Sequence, residues 1–246
     1  MPQTKRNGFE EYTKEHIPNA IFFDLDENSK KDTDLPHMLI DSSSWEKIMS
    51  NMGIENKDEI VVYDNTDVIS SCRCWYNLIY FGHDPKLVHV LDGGLKKWKK
   101  ENKTINNKKV ITETSVYSCK ENTELVKNKK QIDKNIDKND FNVVDARSRE
   151  RFEGKVVEPR KGLRSGSIKN SFCLPFGELI NDDHTFINKD KISEKFKSYN
   201  FDQDKNLVFS CGSGVTASVL ALAYSLINDK YKPTIYDGSW SEYGKN

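Results

Sequence analysis

One ordered series of segments occurs twice in this chain, and that duplication limits the fold more than any other feature. Residues 16–26, HIPNAIFFDLD, return in degraded form at 167–176 as SIKNSFCLPF. EIVVYD at 59–64 is answered by NLVFSC at 206–211, and VHVLDGGLKKW at 88–98 by PTIYDGSWSEY at 233–243. Spacing is kept as well: Asp64 to Asp92 is 28 residues and Cys211 to Asp237 is 26. A period longer than a hundred residues marks a duplicated domain, not a solenoid unit. Within each copy, strand-like apolar runs alternate with helical stretches, 72–82 in the first and 214–227 in the second. That alternation predicts an α/β protein of two tandem domains, each a mainly parallel sheet flanked by helices.

The join falls in the Lys/Asn-rich stretch 101–140. The predicted domains are 1–110 and 123–246, with a linker near 103–122 and an exposed helix over 123–138 opening the second domain. Phe141-Asn142-Val143-Val144-Asp145 reads as that domain's first strand. The first copy has no counterpart to it, so the first domain is expected to be shortened at its N-terminus.

Lys+Arg and Asp+Glu balance at 38 each, and no block of like charge occurs. The chain therefore has neither the basic stripe of a nucleic-acid binder nor the basic face of a membrane-surface protein. No apolar run approaches membrane-spanning length, and MPQTKRNGFEEY lacks the apolar core of a secretory signal. Five cysteines, at 72, 74, 119, 173 and 211, are an odd number without scaffold-like spacing. Reduced thiols in a cytoplasmic compartment are the expectation. Cys72 and Cys74 lie two apart, on different faces of a helix, with no flanking ligands at zinc-like spacing, and read as structural. No metal and no organic cofactor are expected.

The chemistry concentrates in LVFSCGSGVTASVLALAYSLI, residues 207–227. Leu207-Val208-Phe209 is an apolar run of buried-strand type. Gly212-Ser213-Gly214 is a turn, and Val219, Leu222, Ala223 and Leu226 recur at helical spacing. Cys211 then stands where a parallel strand ends and a helix begins, the ligand-facing edge of an open α/β sheet. The glycines allow the backbone of 212–216 to curl and aim N–H groups, backed by the positive helix end, at one point. A thiol facing such donors is favoured as thiolate. A buried structural cysteine is the plainer reading, but it does not explain two glycines and a hydroxyl around the sulfur.

CGSGVTA is similar to the active-site loop of the 3-mercaptopyruvate sulfurtransferases, a two-domain branch of the rhodanese superfamily. The likeness extends over nearly the whole chain. RFEGKVVEPRKG resembles that family's RF…EPR segment, whose two arginines contact the keto acid, and by that likeness Arg151 and Arg160 bind substrate. A guanidinium fork matches a carboxylate bidentately. Arg147, Arg149 and Arg164 have no such match and read as structural or surface residues. The family's silent domain contributes a substrate loop, and by resemblance Asp26 and His37 join Ser213 in a relay ending at Cys211. Gly212, Gly214, Val215 and Thr216 complete the loop that holds the sulfur. Where the second copy has Cys211 the first has Asp64, and a carboxylate cannot carry sulfane sulfur, so the first domain is expected to be silent. His16 has Ser167 as its counterpart and reads as structural; Asp237, in YDGSW, reads as a turn or cap residue.

The reaction implied is ping-pong transfer from 3-mercaptopyruvate, through a Cys211 persulfide, to thioredoxin, another thiol or cyanide. Three alternatives compete. The thiosulfate branch typically carries basic residues directly after the cysteine, whereas Gly212 and Ser213 are uncharged. A cysteine phosphatase needs an arginine six residues on, where Ala217 stands. A non-catalytic binding module would make Cys211 incidental.

Overall fold

A computed structural model describes residues 6–66, 69–202 and 204–245. In the first half, α1 (Gly8–Lys14) and α2 (Ser42–Asn51) precede β1 (Ile60–Val62), α3 (Ile69–Tyr80), β2 (Val88–Val90) and α4 (Gly94–Lys100). The second half opens with β3 (Val126–Lys127), α5 (Lys129–Lys138) and β4 (Asn142–Asp145). There follow α6 (Arg149–Phe152), β5 (Phe172–Cys173), α7 (Lys189–Lys197), β6 (Leu207–Ser210), α8 (Val215–Ser225), β7 (Thr234–Tyr236) and α9 (Ser239–Tyr243).

The second sheet is five-stranded and parallel, in the order β3-β7-β6-β4-β5. β6 lies at its centre, pairing Val208 with Val143 on one side and with Thr234 on the other. Its residues are buried on both faces. Leu207 and Phe209 join the core shared with α8, whereas Val208 packs with Ile132 of α5 and Trp240 of α9. A strand covered on both faces needs a continuous apolar run, which is why Leu207–Ser210 does not alternate. Residues 123–127 depart from the expected exposed helix. Thr123–Leu125 is a single 3-10 turn, and Val126–Lys127 pairs with Ile235 and Tyr236 as the sheet's edge. Helix begins only at Lys129, where Asn128 and Gln131 form a capping box.

The first sheet, among the described residues, is reduced to β1 and β2, paired in parallel. IFFDLD does not extend into a strand as its counterpart does. β5 pairs with β4, and among its described residues the first half offers no equivalent of β4 for IFFDLD to join. Phe23 instead packs edge-on against Trp45, with ring centroids 5.8 Å apart.

α3 and α8, the helices that follow corresponding strands of the two copies, pack on each other and draw both halves around one apolar core. α3 starts three residues earlier than its pattern indicates. Its Cys72, Trp75, Tyr76, Leu78 and Ile79 are all buried, as expected of a helix enclosed on every side. In the first half, Asp64 occupies the place of the cysteine and fills its own helix N-terminus. Its carboxylate accepts from the amides of Thr66 and Ser71 at 2.9 Å each and from the Ser70 hydroxyl at 3.0 Å. A side-chain anion there satisfies donors that a bound anion would otherwise use.

Candidate active site

Cys211 follows the C-terminal end of β6 directly, and Gly214, with φ of 74°, turns the chain into α8. A Cβ at 214 would stand 2.7 Å from an Arg73 nitrogen and 3.0 Å from an Asp237 oxygen, so the turn requires glycine in both conformation and space. The Ser213 amide donates to Cys211 Sγ at 3.4 Å. Gly214 departs from the expected cradle: its amide donates to Ser239 Oγ at 3.1 Å, as does the amide of Cys211. That hydroxyl donates in turn to the Tyr236 carbonyl at 2.8 Å, and the loop is thus braced from behind. Trp240 and Ser241 amides close the brace on the carbonyls of Cys211 and Gly212, both at 2.9 Å. Val215 and Thr216 form the first turn of α8 and are half-buried.

Ser239 and Ser241 were not distinguishable from turn residues in the sequence, although their place in YDGSWSEY beside the repeat's end was a signal. Cys211 is only 1 % exposed, more enclosed than an open sheet edge suggests. Its side chain belongs to the apolar core, and the charged groups lie at the neighbouring glycine. A Cβ at Gly212 would lie 3.3 Å from Arg151 Nη2 and 3.4 Å from Arg160 Nη1, so two guanidinium groups meet above that glycine.

Those arginines are held by different means. Arg147, buried, donates to Asp145 and Glu158 and stacks on Trp240 at 4.4 Å. Burial opposes its charge, but the Asp145 and Glu158 carboxylates outweigh that and raise its pKa. Glu158, 5 % exposed, also accepts from Arg151 through Nε at 3.2 Å and Nη2 at 2.6 Å. Arg151 therefore arrives at the site on a carboxylate that is itself anchored. Arg160 donates to Ser213 Oγ at 3.4 Å. Burial lowers its pKa; the neighbouring Cys211 opposes that shift, and Arg151 reinforces it.

From the first half, His37 reaches across. Its Nδ1 lies 2.9 Å from Ser213 Oγ, and its Nε2 lies 2.9 Å from Asp26 Oδ1. The hydrogen bond from His37 holds the Asp26 carboxyl below its ordinary range, against a smaller opposing effect of burial. Asp26, His37 and Ser213 are thus brought into one chain that ends beside Cys211. A cleft of about 260 Å³ is lined by Asp26, Lys30, Lys31, Leu35 and His37 among others.

Other residues have structural positions. His16, buried, bonds the carbonyls of Tyr12 and Lys108 through its two ring nitrogens. Arg149 pairs with Glu178, and Arg164 stacks on Trp240. All five cysteines are free. Burial pushes the Cys74, Cys119 and Cys173 thiols up to about 12 and raises Cys72 as well, which keeps them protonated and inert. Asp237 is more than a turn residue: it is buried and pairs with Arg73 at 2.7 Å. No group of three or more His, Cys, Asp or Glu among the described residues has metal-holding geometry. No helix among them is long and apolar enough to cross a membrane.

Comparison with known proteins bears on the family and the fold. The family pattern described as "Rhodanese-like domain" matches residues 6–101 and again 128–246. "Thiosulfate/3-mercaptopyruvate sulfurtransferase 1, mitochondrial" from Arabidopsis thaliana is 36 % identical over 264 aligned positions, spanning 99 % of this chain and 69 % of that protein. "3-mercaptopyruvate sulfurtransferase" from Mus musculus is 34 % identical, spanning 99 % and 82 %. The crystal structure of SseA from Escherichia coli, described with the rhodanese fold of 3-mercaptopyruvate sulfotransferases, superposes with a TM-score of 0.87 at 31 % identity. That superposition covers 97 % of this chain and 88 % of SseA. The chain belongs to the rhodanese family, in its two-domain form.

Proposed function

We propose that the chain is a 3-mercaptopyruvate sulfurtransferase in which residues 123–246 carry the chemistry and residues 1–110 complete the site from outside. The observation that carries this reading is the meeting of Arg151 and Arg160 above Gly212, beside a cysteine whose following residues bear no charge. Two guanidinium groups suit the carboxylate and carbonyl of a 2-keto acid.

In the first step the Cys211 thiolate attacks the sulfur of 3-mercaptopyruvate. The S–S bond forms as the C3–S bond breaks, and its electron pair passes into the enolate of pyruvate. The arginines stabilise that enolate electrostatically. The proton carried by the donor's thiol moves through the Ser213–His37 pair to C3, leaving pyruvate and a Cys211 persulfide anion. The Ser213 amide, already directed at sulfur, supports that anion. In the second step an acceptor thiolate or cyanide attacks the outer sulfur, and Cys211 departs as thiolate. Thioredoxin or another reduced thiol is the acceptor class. Free cysteines and balanced charge suit a reducing, cytoplasmic compartment.

Thiosulfate is the second donor. The doubly named Arabidopsis relative and the cationic pair favour weak activity with it, while the missing positive charge at 212 and 213 keeps it secondary. The test is intact mass after mercaptopyruvate treatment, followed by cyanide. The expected result is about 32 Da added at Cys211, then removed as thiocyanate, with Cys211→Ser silent toward both donors. Turnover by Cys211→Ser would end the mechanism. An unmodified wild-type protein would leave the binding-module reading in its place.

A further inference from the structure

One charged side chain in the core takes no part in this chemistry. Arg73 lies in the middle of α3, in the apolar run ISSCRCWYNLIY, and its side chain has no exposed surface. It crosses the boundary between the two halves. Nη2 donates to the Asp237 carboxylate at 2.7 Å and to the His37 carbonyl at 2.7 Å, while Nη1 donates to the Gly214 carbonyl at 3.3 Å. Its Nε is buried without a partner. A buried ion pair is seldom more stabilising than apolar side chains of the same volume, and an unpartnered Nε makes this one poorer still. Stability alone therefore does not account for an arginine here.

The backbone of its acceptors suggests what does. His37 has φ of 61° and Gly214 has φ of 74°, both left-handed. For Gly214 that conformation is free. For His37 it is strained, and strained residues persist only where their surroundings over-determine them. The strain matters, because the turn at 37 sets whether the imidazole can bridge Asp26 and Ser213 at 2.9 Å to each. Asp237 grips the same turn from the other side, its second oxygen accepting from the Leu39 amide at 2.9 Å. The carbonyl of residue 37 and the amide of residue 39 are thus held by one buried pair.

We infer that Arg73, with Asp237, is a positioning residue that holds the His37 turn of the first half against the cysteine loop of the second. It acts through His37 and touches no reacting atom. The inference rests on the relay reading given above, and it assigns the first half a specific role: delivery of one imidazole in a conformation it would not hold alone.

Arg73→Lys keeps a positive charge beside Asp237 but replaces a planar fork with a single ammonium, which cannot serve the same acceptors. Expected is a fall in kcat of about 100-fold with KM changed by less than about 3-fold, the scale of a misplaced proton-transfer group. In a His37→Ala background the same substitution should cost less than about 3-fold, because the group it positions is gone. Ring-labelled histidine NMR supplies a reading that does not need turnover: the His37 signals should move in R73K to match those in Asp26→Asn. If R73K does not fold, Arg73→Met/Asp237→Asn removes both buried charges together and is read in the same way. A wild-type kcat in R73K, the full loss persisting without His37, or unmoved His37 signals would each overturn the inference. A wild-type protein that accepts no sulfur would instead end the functional proposal, and the NMR comparison would still decide this one.

Discussion

Glu158→Gln tests whether Arg151, assigned to the substrate in the proposed reaction, depends on the buried carboxylate behind it. Glu158 accepts from Arg147 Nη1 at 2.8 Å and from Arg151 at 3.2 and 2.6 Å, with 5 % of its surface exposed. Glutamine keeps the shape and one oxygen but sets an NH2 group against a guanidinium. Breaking a buried ion pair from one side costs about 3–5 kcal/mol when the remaining charge is stranded. Neither arginine is fully stranded here. Arg147 retains Asp145, and the Arg151 side chain is 24 % exposed and can turn to water. The loss should therefore sit near the value of one or two charge-assisted hydrogen bonds, about 2–3 kcal/mol. For a chain of this size that lowers Tm by roughly 4–12 °C. An unanchored Arg151 should also raise KM for mercaptopyruvate about 10-fold, with a smaller change in kcat, since one loosened contact of about 1.4 kcal/mol is a factor of ten. Steady-state kinetics beside a thermal melt measure both. A lowered Tm with an unchanged KM would refute the claim that Glu158 orients Arg151; an unchanged Tm would refute the reading of the buried network.

Arg151→Leu and Arg160→Leu should each lower kcat/KM for mercaptopyruvate by about 100-fold or more, the scale of a lost charge-assisted contact. Circular dichroism should be unchanged, because neither arginine is in the core. His37→Ala should slow transfer from mercaptopyruvate by about 100-fold, consistent with loss of a general acid–base. Asp26 carries a sign that can be checked: its folded-state pKa lies below the ordinary 3.8, so its contribution is present above that value and lost as pH falls through the depressed one. Asp26→Asn should abolish this acid-side component of the stability profile, and its effect should be small, because the carboxylate is mostly exposed.

Much of this protein was legible because its chemistry is local in sequence. The strand–loop–helix at 207–227 is written in one apolar run, two glycines and one helical stripe, and Cys211 stands where those signals meet. Arg151 and Arg160 needed a resemblance to be singled out, since an arginine in a polar loop carries no mark of its purpose. Duplication was visible because two copies are compared within one chain. The same comparison set Asp64 in the place that Cys211 holds in the second copy.

What the chain alone could not show is where one half touches the other. Arg73 is an isolated charge in an apolar helix, and Asp237 sits in an unremarkable turn; their pairing across 164 positions exists only once α3 meets α8. The missing partner for IFFDLD and the edge strand at 126–127 also depend on which strands are present to receive hydrogen bonds. Local sequence determines how a segment bends and which face it buries. The partner of a buried charge is chosen by packing between distant segments, and that is why the loop around Cys211 could be read from its residues while the clamp that aligns His37 required the folded molecule.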